Sequence, residues 1–338
     1  MPLSETSGLL LAIFLQLISA SVNYIGMTIQ KKAAMEMPRF CKEIGLFKSI
    51  KNMILNKAWI FGLLLNSSST LFAAGSFALA SITIIQPLYG FGLIVLVVFI
   101  HFYLKERITK LDVLGVLFGI SGIVVIGVTA KVLPEIPYLE LLYKFIGIRG
   151  IVFFAIFLSI ALVTYIVSEK TSKTTSLVFL VLSSAIWTST QNIFNKAVAT
   201  AVRDIGFIGA FFGEAWLYSW TFVFLFLFVS IIGIVMLNIA YQNGQGVIIL
   251  PIWTAIQVIV PVLSGIVVFQ EWSNGGYTPT NIAIQTIGII IMLSSIVILS
   301  ISNGKKESFS RILATDGSCE NEELQLVDKS ESSIKENK

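Results

Sequence analysis

Residues 84–95 read IIQPLYGFGLIV and residues 248–259 read IILPIWTAIQVI. Each is an apolar stretch fit for lipid, interrupted by a proline with an aromatic residue two positions on: Pro87 with Tyr89, and Pro251 with Trp253. Each also carries an amide, Gln86 in the first and Gln257 in the second. A proline inside a helix leaves a backbone carbonyl without its donor, and hydrocarbon holds no water to satisfy it. Such a residue marks either a packing kink or a place where a neighbour, a water or a solute completes the backbone. Two such stretches in one chain make the matched pair more informative than either proline alone.

The rest of the chain fixes the setting. Of 338 residues, 56% are hydrophobic and 12% charged, and mean hydropathy is +0.88, well above the balance of a soluble domain. This composition predicts an integral membrane protein. Because a hydrocarbon core of about 30 Å takes about 20 apolar residues per helix, nine runs qualify, roughly 8–30, 58–78, 82–104, 111–130, 148–168, 175–199, 218–242, 246–270 and 281–302. They are continuous rather than alternating, which argues for a helical bundle over a membrane barrel.

Charge placement predicts orientation. No Lys or Arg precedes the first run and Lys31 and Lys32 follow it, so it reads as a retained helix with its N-terminus outside, not a cleaved signal. The inside loops then collect Lys31, Lys32, Arg39, Lys42, Lys48, Lys51, Lys57, Lys105, Arg107, Lys110, Lys170 and Lys173, against Lys131, Lys144, Arg149, Lys196 and Arg203 outside. An odd number of spans places the C-terminus in the cytoplasm, with the cell membrane as the expected location. The net charge of +4 follows from this asymmetry, so no nucleic-acid partner is expected. Residues 32–57 place Ile44, Phe47, Ile50 and Ile54 on one side with lysines between, a pattern shared by a surface-lying helix and a plain basic loop. Residues 303–338 are rich in Ser, Glu, Lys and Asn and read as a disordered cytoplasmic tail. Cys41 and Cys319 both fall on the cytoplasmic side, so neither a disulfide nor a thiolate metal site is expected.

The two proline stretches belong to a longer repeat. Pro87 to Pro251 and Lys32 to Lys196 are both shifts of 164, which aligns SASVNYIGMTIQKKA with SSAIWTSTQNIFNKA. The first repeat is residues 1–130, a linking helix lies in 131–174, and the second repeat is 175–302. Partner helices are five spans apart, so the second copy crosses the membrane in the opposite sense. Inverted repeats with interrupted helices at matching positions point to an alternating-access transporter with its site near the midplane.

WIFGLLLNSSSTLFAAGSFALASITIIQPLYGFGLIVLVVFIHFYLKERITKLDVLGVLFGISGIVVIG resembles the segment of the drug/metabolite transporter (EamA-like) superfamily in which a small-residue helix leads into a proline-bearing helix, a Lys-Glu-Arg turn and a Gly-rich helix. The second copy, with Phe269, Gln270, Glu271 and Trp272 closing its proline helix and Thr278-Pro279-Thr280 before the last helix, is similar to the NIPA-like magnesium transporters, as is IQKKA at the close of the first helix. The resemblance covers most of 8–302. It implies an all-α fold of inverted repeats and a magnesium or related divalent-cation substrate.

Magnesium is a hard cation that prefers carboxylates, phosphates and retained waters, yet Glu106, Asp112 and Glu271 sit at span ends and Glu214 in a loop. The spans offer amides instead. Asn23 and Gln30 share a helix face, as do Gln191 and Asn195, Asn192 and Asn195, and Asn238, Gln242 and Gln245. Each suits a still-hydrated ion, a polar metabolite or an interhelical hydrogen bond. The expected substrate ligands are Asn23, Gln86, Gln191, Asn195 and Gln257, with Asn23, Gln191 and Asn195 the candidate magnesium set. Pro87 and Pro251 shape the broken backbone, and Glu106 and Glu271 act at the mouths. His101, the only histidine, is a candidate coupling group or a satisfied interfacial residue. Gly115, Gly119 and Gly122, and Ala73, Ala74 and Gly75, read as close-packing faces, and Trp59, Trp216, Trp220 and Trp272 as an interfacial belt. No paired carboxylates or nucleophile–base pair can be assembled, so no enzyme and no cofactor is expected. An exporter of small polar metabolites such as amino acids and a non-transporting membrane interaction protein stay open, as does a homodimer.

Overall fold

The computed structural model describes residues 5–36, 51, 53–104, 109–129, 136–171, 173–243, 246–274 and 277–313. In chain order the helices are α1 (Glu5–Glu36), α2 (Lys57–Leu79), α3 (Ile82–Ile85), a 3-10 turn (Gln86–Gly90), α4 (Phe91–Leu104), α5 (Lys110–Thr129), α6 (Tyr138–Ile146), α7 (Ile148–Lys170), α8 (Lys173–Phe212), α9 (Trp216–Asn243), α10 (Gly246–Val267), α11 (Glu271–Asn274) and α12 (Pro279–Leu313). The protein is an all-α, multi-pass membrane protein. Among the described residues six segments are long and apolar enough to cross a bilayer unaided: Ser7–Ala34, Lys57–Leu79, Ile148–Lys170, Thr175–Phe212, Trp216–Gln242 and Pro279–Ile298. Ile82–Leu96 and Ile252–Val267, the two proline stretches, are shorter apolar helices. Helical segments lie at all nine expected runs, though the count of nine crossings goes beyond these six.

Helix ends keep the register read from the sequence. α2 and α9 end at Leu79 and Asn243, and α3 and α10 begin at Ile82 and Gly246, each pair 164 apart. Packing keeps it as well. The α1–α2 pair is held by Ser19, whose Oγ donates to Ser69 O at 2.8 Å, and the α8–α9 pair by Ser184, whose Oγ donates to Gly233 O at 2.8 Å. The acceptors Ser69 and Gly233 are again 164 apart, and the donors Ser19 and Ser184 are 165 apart, one residue off that register.

Small residues let the backbones approach, which replaces the hydrophobic drive that lipid cannot supply. A Cβ on Gly62 would stand 2.7 Å from Gly26 O, and one on Gly122 would stand 3.0 Å from Met292 N and 3.1 Å from Gly288 O. Gly26 and Gly62 bring α1 onto α2, while Gly122 and Gly288 bring α5 onto α12, where Ser295 Oγ also donates to Gly115 O at 2.7 Å.

Several expectations change. Lys196, expected in an outside loop, lies inside α8, which continues to Phe212 and changes direction at Gly206 with φ 71, a conformation suited to glycine. Residues 138–146 form the amphipathic α6, whose Leu141 and Phe145 are buried; Phe145 packs on Phe154, Phe222 and Phe269. α12 runs on to Leu313, past the expected start of the tail. Trp59 is 6% exposed and donates from Nε1 to Asn238 Oδ1 at 2.8 Å, so it is an interhelical anchor and not part of a lipid-facing belt. Trp216 and Trp220 are exposed. Ile44, Phe47 and Ile50, Cys41, Cys319, Glu106 and the tail beyond Leu313 lie outside the described residues.

Candidate functional site

The 3-10 turn Gln86–Gly90 bonds both α1 and α10. In a 3-10 turn residues three apart eclipse one another, so Gln86 and Tyr89 project from one side. Gln86 Nε2 donates to Gln257 O on α10 at 2.7 Å, while Tyr89 OH donates to Asn23 Oδ1 on α1 at 2.6 Å. Pro87 opens this turn. Pro251, its register partner, lies in the sixth position of the continuous α10, where it deprives only Val247, in the first turn, of a helical donor. Only the first of the matched prolines therefore coincides with a change of helix type.

Two polar clusters flank the turn. On the α1 side, Asn23 Nδ2 donates to Asn66 Oδ1 at 2.5 Å and Ser69 Oγ at 3.2 Å, so with Tyr89 every group of the Asn23 amide is engaged. On the α8 side, Gln257 Oε1 accepts from Asn192 Nδ2 at 2.9 Å and its Nε2 donates to Thr188 Oγ1, so this amide is engaged too. Between the clusters stand Tyr24, Tyr89 and Trp253, with ring centroids 5.6 and 6.3 Å apart in sequence, and Tyr24 OH bonds Thr254 Oγ1.

The remaining amides have unspent oxygens. Gln86 Oε1 is fully buried with no hydrogen-bond partner, as are Trp253 Nε1 and Tyr241 OH. An unmade buried hydrogen bond costs about 1–3 kcal/mol, so each of these groups is a place where a water or solute is stabilised. Asn195 donates to Thr70 O at 3.3 Å and its oxygen accepts from none of the described residues. Gln191 is half-buried and makes no hydrogen bond among them. The structure thus joins Gln86 to Gln257, and Tyr89 to Asn23, but no hydrogen bond joins Asn23 to Gln191 or Asn195.

A second feature, at the end of the bundle where α2 passes into α3, involves charge. Lys196, 7% exposed, donates from Nζ to Phe77 O at 3.2 Å and Ala80 O at 3.0 Å, the last carbonyls of α2. Glu271, 3% exposed, accepts from Ile82 N at 3.0 Å, Thr83 N at 2.9 Å and the Thr83 hydroxyl, the first donors of α3. A cation at a helix C-terminus and an anion at an N-terminus each meet the matching end of the backbone dipole. Both residues come from the second half of the chain and both grip one break in the first half. Gln270, at φ 57, turns the chain to deliver Glu271, and Lys144 Nζ donates to Phe269 O at 2.9 Å. Reasoning from sequence placed Glu271 at a mouth but missed Lys196 as its companion; the signal was the shared shift of 164 that pairs Lys196 with Lys32. Asn66 and Ser69, just before the small-residue face of Ala73, Ala74 and Gly75, and Thr188, in the stretch aligned with the first helix, were not among the expected site residues.

Among the described residues no group of three His, Cys, Asp or Glu side chains is placed to hold a bare metal ion. The arrangement offers neutral oxygens, hydroxyls and aromatic faces, which suits a solute that keeps its own hydration.

The sequence model of the family described as Magnesium transporter NIPA matches residues 4–305. The chain is also similar to three curated proteins of Arabidopsis thaliana. It is 34% identical to "Probable magnesium transporter NIPA9" over 35% of this chain and 33% of that relative. It is 22% identical to "Probable magnesium transporter NIPA7" over 76% of this chain and 78% of the relative, and 23% identical to "Probable magnesium transporter NIPA6" over 65% and 66%. The first of these matches therefore spans about a third of the relative's length. No solved structure matches the chain.

Proposed function

The chain belongs to the Magnesium transporter NIPA family, and from that membership together with the amide lining we propose that it carries magnesium or another divalent cation across the bilayer by alternating access. The observation that carries this reading is Gln86 Oε1, a buried amide oxygen without a donor, on a 3-10 turn that bonds both α1 and α10. Magnesium sheds water reluctantly and is commonly bound with several waters retained. A hydrated ion presents O–H donors, which is what Gln86 Oε1, Gln191 and the Asn195 oxygen lack. Asn23 and Gln257, whose amides are engaged, act in this account by fixing the walls, Asn23 through Tyr89 and Gln257 through Gln86.

Alternating access requires that the bundle close at one end while it opens at the other. Lys196 and Glu271 hold the α2–α3 break shut against the second half of the chain, so opening there must release both. With the N-terminus outside, as the Lys and Arg asymmetry suggests, this is the extracellular end. Pro87 eases the movement because the 3-10 turn already spaces its hydrogen bonds differently from the helices on either side.

One observation favours a second reading, export of a small polar metabolite: Trp253 Nε1 is a buried donor without an acceptor, and a donor suits a solute carboxylate as well as the oxygen of a water. Flux through protein reconstituted in liposomes separates the two. Magnesium entry that falls at least tenfold in Gln86→Leu while the variant stays folded supports the cation path; normal magnesium flux in that variant would refute it.

A further inference from the structure

The outer wall of the bundle carries a groove that the transport reading does not use. It lies between α7 and α10, encloses about 380 Å³, and is lined by Ile148, Arg149, Val152, Phe153, Ile156, Phe157, Leu263 and Val267. The α7 residues recur every four positions from 149 to 157, so they form one stripe of roughly 12 Å at 1.5 Å per residue. All of the lining is apolar except Arg149, which stands at the start of α7, where the helix begins its crossing.

A long apolar slot with one cation at its membrane-surface end has the shape and charge of a phospholipid: acyl chain along the stripe, phosphate on the guanidinium. We propose that this groove binds one anionic glycerophospholipid, with its phosphate held by Arg149 and an acyl chain laid along Val152, Ile156 and Leu263. Three observations carry it. Arg149 is exposed and has neither an ion pair nor a hydrogen bond to any described residue, whereas Arg203 is paired to Asp204 and Lys144 to Glu140. The lining contains no carboxylate to compete for Arg149 or to receive a choline. Phe153 is buried and closes the floor of the slot, while Val152, Ile156, Leu263 and Val267 are partly exposed along its sides. Guanidinium matches phosphate geometry with two parallel donors. The occupant would wedge between the linking helix and α10, the helix that carries Gln257. Lipid binding does not depend on what the protein transports.

The test is lipid retention by purified full-length protein, measured by native mass spectrometry after exchange into detergent containing equal phosphatidylglycerol and phosphatidylcholine. The wild type is expected to retain phosphatidylglycerol preferentially, with one lipid per chain surviving longest. Arg149→Gln should lower that preference roughly fivefold, the effect of one basic residue near a lipid surface. Arg149→Lys should restore part of it, and Ile156→Trp, which fills the slot, should lower it while keeping the charge. Lys110→Gln, an exposed cation on α5 away from the groove, should leave it unchanged. Equal retention of the two lipids by the wild type, unchanged retention in Arg149→Gln or Ile156→Trp, or an equal loss in Lys110→Gln would overturn the assignment.

Discussion

Glu271→Gln is the sharpest single perturbation the structure offers. The carboxylate accepts from Ile82 N at 3.0 Å, Thr83 N at 2.9 Å and the Thr83 hydroxyl, in a site 3% exposed. Glutamine keeps the shape but turns one acceptor into an NH2 donor, so at least one backbone N–H at the start of α3 faces another donor. A hydrogen bond to a charged group contributes about 1.5–3 kcal/mol, and stripping the partner from a buried charge costs about 3–5 kcal/mol. Lys196 bonds Phe77 O and Ala80 O and not the Glu271 carboxylate, which places the cost near the lower bound, about 3 kcal/mol. At about 2–4 °C per kcal/mol, the thermal midpoint in detergent should fall by about 6–12 °C. Lys196→Met removes the cap on Phe77 O and Ala80 O and should also destabilise. Because each charge compensates the other, the double variant should lose less than the sum by at least about 0.5 kcal/mol. A midpoint unchanged in Glu271→Gln, or strict additivity in the double variant, would refute the idea of one two-charge closure.

Two further outcomes follow from the packing. Gly62→Leu would drive a side chain into Gly26 O and the Gln30 stem, at 2.7 Å already for its Cβ, so it should separate α1 from α2 and cost at least about 1–3 kcal/mol, read as a lower midpoint and lower yield of folded protein. Tyr89→Phe removes the donor to Asn23 Oδ1, and the orphaned oxygen should cost about 1–3 kcal/mol of stability; because Tyr89 shares the 3-10 turn with Gln86, flux should fall as well, and full flux with a normal midpoint would show that this wall does not position the path.

Much of the fold was legible because lipid imposes a simple rule: every crossing helix must be long, apolar and flanked by charge. The spacing of 164 between Pro87 and Pro251 and between Lys32 and Lys196 recurs in the helix ends at Leu79 and Asn243. The site was less legible. An amide reads the same in sequence whether its oxygen is spent or free, and only packing tells Asn23, held by Asn66, Ser69 and Tyr89, from Gln86, whose Oε1 has no donor. Lys196 was hidden for another reason. A lone lysine near the end of an apolar run reads as a loop charge, and its burial becomes intelligible only once the carbonyls of Phe77 and Ala80, from a distant helix, are seen to surround it. The α6 helix escaped because its short amphipathic pattern is drawn to Phe154, Phe222 and Phe269, residues far from it in the chain.

The central claim is that a hydrated divalent cation passes the oxygens of Gln86, Gln191 and Asn195. The direct measurement is magnesium entry into liposomes holding a magnesium-sensitive dye and the purified full-length protein, under an inside-negative potential. The account predicts entry that depends on the potential, competition by cobalt or manganese, and loss of entry in the folded triple variant Gln86→Leu, Gln191→Leu, Asn195→Leu. Entry that is equal in the wild type and the triple variant, or no entry through folded wild-type protein, would contradict it.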